Sequence, residues 1–356
     1  MTLRNKFARP IEVHVQRGLI TESIHFVDAV VVDSKGDVVA SFGKSESQLK
    51  TEKIFPRSAV KLIQALFMME SGAVEKYSLT KKQITMACAS HHGDDLQTGV
   101  VRAWHEQLGF SESQLVCGAH WPSDIETQHE MIRNRKQPCR YHNNCSGKHT
   151  GMMTGLLANH QPLENYQAWD HPLQQNLRRI FSELSGEDFS QTAWGVDGCG
   201  IPNYSMTLPG MARALSAFLL DPAWGKSQGL EISSERQARM RQINEAIVAE
   251  PHFISGKNTF GSELIQKLKG RAIVKGGAEG VYAAILPEAG IAFAVKVHDG
   301  ASRASSVVTA FLMRAFGAMT GAEWVQLSDH TEPRIKNWAG DIVGKIFVPP
   351  SQFEVR

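Results

Sequence analysis

The spacing Ser-x-x-Lys recurs along this chain and could carry nucleophilic chemistry. One helical turn places a lysine amine beside a serine hydroxyl, and a lysine that loses its proton in an apolar setting can act as the base that activates the serine. The motif begins at Ser41, Ser47, Ser58 and Ser78, and chance alone gives about one or two copies of so short a motif. Only the copy at Ser58 opens a segment with an apolar remaining face, so that Lys61 can be buried. A helix N-cap is the alternative role for this serine.

Residues 88–95 read Cys-Ala-Ser-His-His-Gly-Asp-Asp and follow a short apolar segment. Ser90, His91 and His92, with the two acids, supply groups that could transfer protons or bind a metal. Adjacent side chains on a helix do not share a face, so a metal site built on both histidines is not expected. An ordinary polar loop is the alternative interpretation.

Residues 143–151 read Asn-Asn-Cys-Ser-Gly-Lys-His-Thr-Gly and form the densest chemical stretch. A phosphate-binding loop is excluded, because His142 stands at the required glycine and His149 stands where Ser or Thr should follow the lysine. Cys145 and His149 are four residues apart and could meet on one helical face, as a thiolate pair or as metal ligands. A buried, inert thiol is the alternative.

Two glycine-containing segments complete the set of candidate sites. Asp197-Gly-Cys199-Gly indicates a tight loop where the backbone approaches another group closely. Lys275 ends a predicted strand and precedes two glycines. That arrangement suits recognition of a carboxylate, or of a second amine near a serine, and a purely structural Gly-Gly turn is the alternative.

The composition indicates a folded chain and excludes several classes of protein. Of 356 residues, 42% are hydrophobic and 21% are charged, as in ordinary globular proteins. Lys and Arg number 38 against 36 Asp and Glu, which argues against a dedicated nucleic-acid binder. No apolar run reaches the roughly 18 residues of a membrane span. Because no apolar signal segment is visible and the five cysteines lack a Cys-x-x-Cys motif, we expect a cytoplasmic protein with free thiols.

Strand-like segments at both ends of the chain enclose a helical middle. Residues 25–42 predict a hairpin, with a Ser-Lys-Gly-Asp turn between two runs rich in β-branched residues. Residues 58–70 carry apolar residues at helical spacing. Further helices are predicted at 80–88, 95–108, 124–134, 147–158, 171–184, 207–219, 230–249 and 302–316, and further strands at 271–275, 280–286 and 291–297.

Tight turns between the strands predict a largely antiparallel sheet and the α+β class. We expect a single two-lobed catalytic unit. Its sheet lobe comprises about residues 1–57 and 270–356, and its helical lobe comprises about residues 58–269.

The order Ser58-x-x-Lys61, Ser90, Lys275-Gly-Gly resembles the three motifs of serine β-lactamases and penicillin-binding proteins. The arrangement of helices between strands is similar to that fold too. Two positions depart from the pattern, since the second motif reads Ser90-His-His and Gly276 replaces the usual hydroxyl residue. These departures argue against antibiotic hydrolysis.

A fuller resemblance covers most of the chain and is to the rhizobial-type L-asparaginases, the class 3 or asparaginase II family. The Asn-Cys-Ser-Gly-Lys-His string is specific to that family. Neither the Thr-Gly-Gly-Thr opening of the better-known bacterial asparaginases nor the autoprocessing site of the plant type is seen. The matching motifs are Pro56-Arg-Ser-Ala-Val-Lys61, Cys88-Ala-Ser-His91, Asn144-Cys-Ser-Gly-Lys-His149, Asp197-Gly-Cys199 and Val274-Lys-Gly-Gly277.

This resemblance implies hydrolysis of L-asparagine to L-aspartate and ammonia by a homodimer with a serine β-lactamase-like fold. It assigns Ser58 and Lys61 as one nucleophile–base pair and Ser90 with Lys275 as a second. In the mechanism we expect, Lys61 takes the proton of Ser58, whose oxygen attacks the side-chain amide carbon while backbone N–H groups stabilise the oxyanion. Ser90 protonates the leaving ammonia with a proton that it receives from Lys275. The reverse assignment, with Ser90 as the nucleophile, stays open.

The resemblance also implies a zinc ion held by Cys145, Lys148 and Cys199. Two thiolates, a neutral amine and a water would give a four-coordinate site with one open position. We expect zinc not to be required for the chemistry, and no nucleotide or organic cofactor is expected.

An amino-acid substrate needs a group for its ammonium and a group for its carboxylate. Asp197 is the candidate for the ammonium, and Lys148 or the metal is the candidate for the carboxylate. Arg57 has a supporting role, and Asn144 and His149 belong to the same substrate site.

Two rival functions remain at this point. The first is another serine–lysine hydrolase of the β-lactamase or peptidase kind, which Ser58-x-x-Lys61 would equally serve. The second is a non-catalytic structural or sensor protein that binds zinc through Cys145 and Cys199.

Overall fold

The computed structural model describes residues 7–353. Within them the chain forms two compact units. The first takes in the chain up to Ala59, then Met206–Glu231 and the chain from Lys267 onwards, and the second comprises Val60–Ser205 and Ile232–Gln266. Residues 206–231, which the sequence analysis placed with the helices, therefore group with the strands.

The first unit is built on an antiparallel sheet whose strands come from both ends of the chain. Along the sheet the order is β12-β13-β2-β3-β11-β10-β9, and β4 pairs with β3 and with β1. The β1–β4 pair is parallel. Two short pairs lie outside this sheet: β5 with β8, and β6 with β7, which belongs to the second unit. All strands of the described residues are β1 Phe7–Ala8, β2 Ile11–Arg17, β3 Ile20–Asp33, β4 Val38–Phe42, β5 Lys53–Ile54, β6 Trp194–Val196, β7 Pro202–Tyr204, β8 Met206–Thr207, β9 Ile273–Gly276, β10 Val281–Leu286, β11 Ile291–Val297, β12 Arg334–Lys336 and β13 Ile342–Phe347.

The centre of the sheet pairs the two chain ends directly. In antiparallel register, Asp33 of β3 lies opposite Ile291 of β11, and Val27 lies opposite Val297. Residues 29–32 are all fully buried, so both faces of β3 are covered there, which explains a continuous apolar run instead of alternation. The predicted α+β class and the antiparallel sheet from both chain ends are confirmed.

The helices divide between the two units. Helices α9 and α13 pack against the sheet. The helices are α1 Glu46–Thr51, α2 Lys61–Glu70, α3 Ala73–Lys76, α4 Lys81–Ala87, α5 Asp95–Leu108, α6 Ile125–Arg133, α7 Ser146–Ala158, α8 Pro172–Ser185, α9 Leu208–Ser216, α10 Ser234–Ala249, α11 His252–Ser255, α12 Phe260–Leu268, α13 Ser302–Ala315, α14 Gly321–Gln326 and α15 Ser328–Thr331.

The predicted hairpin corresponds to β3 and β4, and each long predicted helix is present with its ends shifted by a few residues. The helix expected from Ser58 begins later, because Arg57–Val60 forms a 3₁₀ turn and α2 starts at Lys61. Val60 occupies the N-cap of α2 without a side-chain hydrogen bond, so Ser58 does not have the alternative role of capping that helix. No helix within residues 7–353 is long and apolar enough to span a membrane.

The second unit is organised around α7, which packs against α2, α4 and α5. Its glycines recur every fourth residue and line one side of the helix. A Cβ atom at Gly147 would lie 2.5 Å from the carbonyl oxygen of Met86, and one at Gly151 would lie 2.9 Å from the Cβ of Ala87. The backbones of α7 and α4 therefore approach more closely than any side chain at these positions would permit.

We expect Gly147→Ala to lower the free energy of unfolding by about 1–3 kcal/mol, because the added methyl group overpacks a contact with backbone. Gly99→Ala is the matched control, since this helical glycine lies in α5 and an added Cβ would meet nothing within 4 Å. That substitution should raise stability by up to about 1 kcal/mol through helix propensity. Urea unfolding of both variants measures the difference, and an equal response at the two positions would contradict the close-packing argument.

Candidate active site

Lys61 is a lysine buried at the start of α2, with 1% of its surface exposed. Its Nζ donates hydrogen bonds to the carbonyl oxygen of Ala89 at 2.6 Å and to Ser90 Oγ at 2.9 Å. It also lies 3.1 Å from Cys145 Sγ. A lysine amine and a serine hydroxyl are thus in direct contact inside the second unit, and this contact joins Lys61 to Ser90 across 28 intervening residues.

A second amine and a second sulfur continue this network. Lys148 Nζ lies 3.0 Å from Cys199 Sγ. The hydrogen of the Cys199 thiol has two acceptors within reach, Asp197 Oδ2 at 3.8 Å from the sulfur and the sulfur of Cys145. The side chains of Lys148, Cys145 and Cys199 are buried. The contacts therefore form one chain in the order Lys61, Cys145, Cys199, Lys148, with the two sulfurs between the two amines.

The electrostatics of the two cysteines differ. The hydrogen bond from Cys199 and the nearby charges of Lys61 and Lys148 hold the pKa of Cys145 well below its ordinary value, although burial opposes this. The same hydrogen bond and burial raise the pKa of Cys199. Burial disfavours the charge of Lys148, but the sulfurs of Cys199 and Cys145 raise its pKa above the ordinary value. These interactions therefore favour the thiolate form of Cys145 and the thiol form of Cys199.

The segment 88–92 is anchored by a neutral histidine. His91 Nε2 lies 2.8 Å from Ser146 Oγ, which itself donates to the carbonyl oxygen of Tyr141, so the histidine nitrogen is the donor. The backbone N–H of His91 also donates to the carbonyl oxygen of Asn144. Burial lowers the pKa of His91 to about 3. The hydrogen bonds of His91 thus hold the neighbouring Ser90 beside the start of α7.

Asn144 is held in place mainly through its backbone. Its N–H donates to His120 Nε2 at 2.9 Å, and its side chain is exposed. The spacing of Cys145 and His149 left open that the two side chains meet on one helical face, but in the structure they have different partners. The sulfur of Cys145 contacts Lys61 and Cys199, whereas His149 Nδ1 contacts Tyr166 Oη at 2.7 Å.

The loop 197–200 joins two short antiparallel strands, β6 and β7. The backbone N–H of Gly200 donates to the carbonyl oxygen of Asp197, and Gly200 has a φ of 88°, which favours glycine. Asp197 Oδ1 accepts a hydrogen bond from the N–H of Gly198 at 2.9 Å. The tight turn places the Asp197 carboxylate and the Cys199 sulfur on one loop, within the electrostatic reach of Lys148.

Ser58, Arg57 and Lys275 belong to the first unit. Ser58 lies in the 3₁₀ turn, next to Arg57 with its φ of 51°. Lys275 is buried on β9, where its Nζ donates to the carbonyl oxygen of Gly276 at 2.8 Å. A Cβ atom at Gly277 would lie 2.9 Å from the carbonyl oxygen of Pro56. The Lys-Gly-Gly segment therefore packs directly on the turn that carries Ser58.

The structure groups the predicted residues in two sets. Within the second unit it brings together Lys61, Ser90, Cys145, Lys148 and Cys199. Within the first unit it places the Lys275 segment against the Ser58 turn. Two partners were not predicted from the sequence: His120, which accepts from the Asn144 N–H, and Tyr166, which contacts His149. The only local signal for Tyr166 in the sequence is that an aromatic residue stands in a polar segment. In the structure the Tyr166 side chain is fully buried.

The donor set at Cys145 fits a zinc ion in its chemistry. Among residues 7–353, no group of three or more His, Cys, Asp and Glu side chains is gathered as metal ligands would be. A zinc at this site would thus need the Lys148 amine as its third protein donor, beside the two sulfurs. The hydrogen bond between the sulfurs and the Lys148–Cys199 contact show the three donors within reach of one another.

The sequence profile of the family described as L-asparaginase II matches residues 13–348. This match spans nearly the whole chain, and the protein belongs to the L-asparaginase II family. A comparison with curated proteins found no match.

Two solved structures are similar to this chain at low identity. One is a β-lactamase candidate from Bacteroides dorei DSM 17855, with 13% identity, a TM-score of 0.38, and coverage of 76% of this chain and 84% of that chain. The other is simvastatin synthase LovD from Aspergillus terreus, in its LovD6 mutant form, with 14% identity, a TM-score of 0.35, and coverage of 76% and 86%.

We expect Cys145 to be a thiolate at neutral pH in protein freed of metal by a chelator, because its pKa is held well below 9.0. The ultraviolet absorbance of the thiolate should persist from mildly alkaline to mildly acidic pH and disappear in Cys145→Ser. Cys117→Ser is the matched control, since burial raises the pKa of Cys117 to about 12 and this thiol stays protonated. An absorbance that Cys145→Ser leaves intact would contradict the assignment.

Proposed function

We propose that this protein is an L-asparagine amidohydrolase that works through a serine acyl-enzyme. Membership of the L-asparaginase II family supports the substrate. The single observation that carries the chemistry is the buried Lys61, whose Nζ lies 2.9 Å from the hydroxyl oxygen of Ser90. Lysine–serine contacts of this kind are what an amidohydrolase without an activating histidine requires.

We assign Ser58 as the nucleophile and Lys61 as its base. The two residues are three positions apart and are joined by the 3₁₀ turn that runs into α2. Proton transfer from Ser58 requires Lys61 as a neutral amine, so its ammonium, whose charge favours the Cys145 thiolate, must first lose a proton. Lys61 then takes the proton of Ser58 while the serine oxygen attacks the side-chain amide carbon. Water later hydrolyses the β-aspartyl ester: Lys61 accepts a proton from the attacking water and returns it to the Ser58 oxygen as the ester bond breaks.

The leaving ammonia needs one proton, and Ser90 is placed to deliver it. Ser90 gives its hydroxyl proton to the departing nitrogen and takes one from Lys61 along their hydrogen bond. This relay differs from the sequence-based pairing of Ser90 with Lys275. Lys275 keeps a supporting role in our proposal, since its segment packs on the Ser58 turn.

The charged ends of asparagine require partners of opposite charge. We assign Asp197 to the α-ammonium, because its loop presents a half-buried carboxylate beside Lys148. Lys148, Arg57, Asn144 and His149 are assigned to the carboxylate end. A homodimer and a cytoplasmic location remain predictions of the sequence analysis.

We further propose that Cys145, Lys148 and Cys199 can hold zinc. A zinc ion, when bound there, would supply positive charge able to attract a substrate carboxylate. Binding requires deprotonated ligands, so the thiol proton of Cys199 and one proton of the Lys148 ammonium must leave. The raised pKa of Lys148 opposes this step, which makes zinc affinity increase with pH.

We expect purified wild-type protein to release ammonia from L-asparagine and Ser58→Ala to lose at least about a thousandfold in kcat, because removing a nucleophile leaves only binding and oxyanion stabilisation. Ser47→Ala is the matched control, since this serine has the same Ser-x-x-Lys spacing but is exposed on α1, and its activity should equal that of wild type.

Other outcomes of this assay would redirect the proposal. Full activity in Ser58→Ala together with its loss in Ser90→Ala would make Ser90 the nucleophile. Hydrolysis of a chromogenic β-lactam in place of asparagine would support the broader serine–lysine hydrolase class and overturn the substrate.

We expect Cys199→Ser to weaken zinc binding by at least about 100-fold, since even partners of metal ligands are worth 10–100-fold in affinity. Cys139→Ser is the control, because Cys139 contacts His142 and stands outside the donor set. Competition with a chromophoric chelator measures both affinities. Equal affinity in the two variants would rule out the cysteine–lysine–cysteine site.

A further inference from the structure

The two ring nitrogens of His149 have different surroundings. His149 lies on α7 and is fully buried. Its Nδ1 lies 2.7 Å from Tyr166 Oη. Its Nε2 is enclosed by protein and has no hydrogen-bond partner within residues 7–353. Buried polar atoms are nearly always paired, so an unpaired one calls for a functional explanation.

The Tyr166 hydroxyl determines which nitrogen carries the proton. The backbone N–H of Val116 donates to Tyr166 Oη at 3.1 Å, so this oxygen already acts as an acceptor. We assign the hydroxyl hydrogen to His149 Nδ1 as its acceptor, because the hydroxyl is then used both as an acceptor, from Val116, and as a donor. An imidazole that accepts at Nδ1 is neutral only with its hydrogen on Nε2. The unpaired atom is therefore an N–H donor without an acceptor.

The His149 ring lies within the electrostatic reach of two lysines of the candidate active site, Lys148 and Lys61. His149 directly follows Lys148, and its backbone N–H donates to the carbonyl oxygen of Cys145 at 3.0 Å. A neutral donor among lysine amines is suited to an anionic oxygen, and the α-carboxylate is the anionic group of asparagine.

The loop 197–200 lies against Val116, which also holds the Tyr166 hydroxyl. A Cβ atom at Gly200 would lie 3.3 Å from the carbonyl oxygen of Val116, the residue whose N–H holds the Tyr166 hydroxyl. The loop with Asp197 and the pair Tyr166–His149 therefore share one support. Side-chain rotamers commonly change on binding, so the enclosure of Nε2 in this structure is compatible with contact to a ligand.

On the basis of the proposed function, we propose that Tyr166 is a positioning residue for substrate binding. It fixes His149 as an Nε2–H donor, and this N–H donates to an α-carboxylate oxygen of L-asparagine. Tyr166 itself does not touch the substrate. Because Tyr166 acts on substrate binding, its loss changes KM far more than kcat.

The first test is Tyr166→Phe, which removes the hydroxyl and leaves the ring. We expect KM for L-asparagine to rise about tenfold, the value of one hydrogen bond to a charged group, with kcat changed less than about threefold. Tyr204→Phe is the matched control, because its hydroxyl donates to the buried Gln174 side chain. It should lose stability in urea unfolding without a rise in KM.

The second test separates positioning from packing. His149→Gln places an amide N–H at the depth of Nε2 without needing Tyr166. In that background Tyr166→Phe should change KM less than about twofold, since no tautomer remains to be fixed. A packing role for Tyr166 would raise KM equally in both backgrounds and would overturn the proposal, as would an unchanged KM in Tyr166→Phe alone.

If Tyr166→Phe does not fold, His149→Gln and His149→Asn decide the question. The glutamine amide reaches the position of Nε2 and should stay within a few-fold of wild type in KM, whereas asparagine reaches only Nδ1 and should raise KM about tenfold. The reverse order would overturn the proposal.

Failure of the proposed function can be recognised separately. If the wild type releases no ammonia from L-asparagine, calorimetric binding of L-aspartate replaces KM as the readout. An affinity for L-aspartate that is about tenfold weaker in Tyr166→Phe would then support the positioning role of Tyr166. An unchanged affinity, or no binding of L-aspartate by the wild type, would overturn it.

Discussion

The close approach of α7 to α4 is the constraint on which the site in the second unit depends. Gly147 and Gly151 have no side chain on the face that meets α4, and added Cβ atoms would collide with Met86 and Ala87. Because the backbones lie so close, the first turn of α7 reaches the segment after α4. Cys145 and Ser90 can then share one lysine. A bulkier helix would separate the sulfur from the hydroxyl.

Burial gives this lysine and sulfur cluster its chemical character. Amines and thiols enclosed together have few partners other than one another, so each sets the protonation of its neighbour. The opposite pKa shifts of Cys145 and Cys199 come from one shared hydrogen bond. The neutral His91, in contrast, takes no part in proton transfer and holds the backbone of Ser90 in position. Polar groups in this unit thus divide between reactive and supporting roles.

Local sequence patterns could predict much of this site. Lys61, Cys145 and Lys148 stand in segments with helical periodicity and distinctive composition, and strand runs at both chain ends predicted the sheet. Partners were harder to predict, because they depend on packing between distant segments. Nothing near Lys61 indicates that its serine contact is Ser90, and nothing near His149 indicates Tyr166. The 3₁₀ turn at Arg57–Val60 was likewise missed, since a short apolar pattern does not distinguish it from the first turn of an α-helix.

The pairing of β3 with β11 has a consequence for the order of folding during synthesis. The pair of β3 and β11 can form only after Ile291 has left the ribosome, because Ile291 lies opposite Asp33. Most of the second unit, in contrast, is one continuous stretch, Val60–Ser205. Pairing between such distant segments is slow, and domains tend to fold as they emerge. The nascent chain therefore carries an apolar β3 without its central partner until Ile291–Val297 has been synthesised, a period in which chaperones have the most to protect.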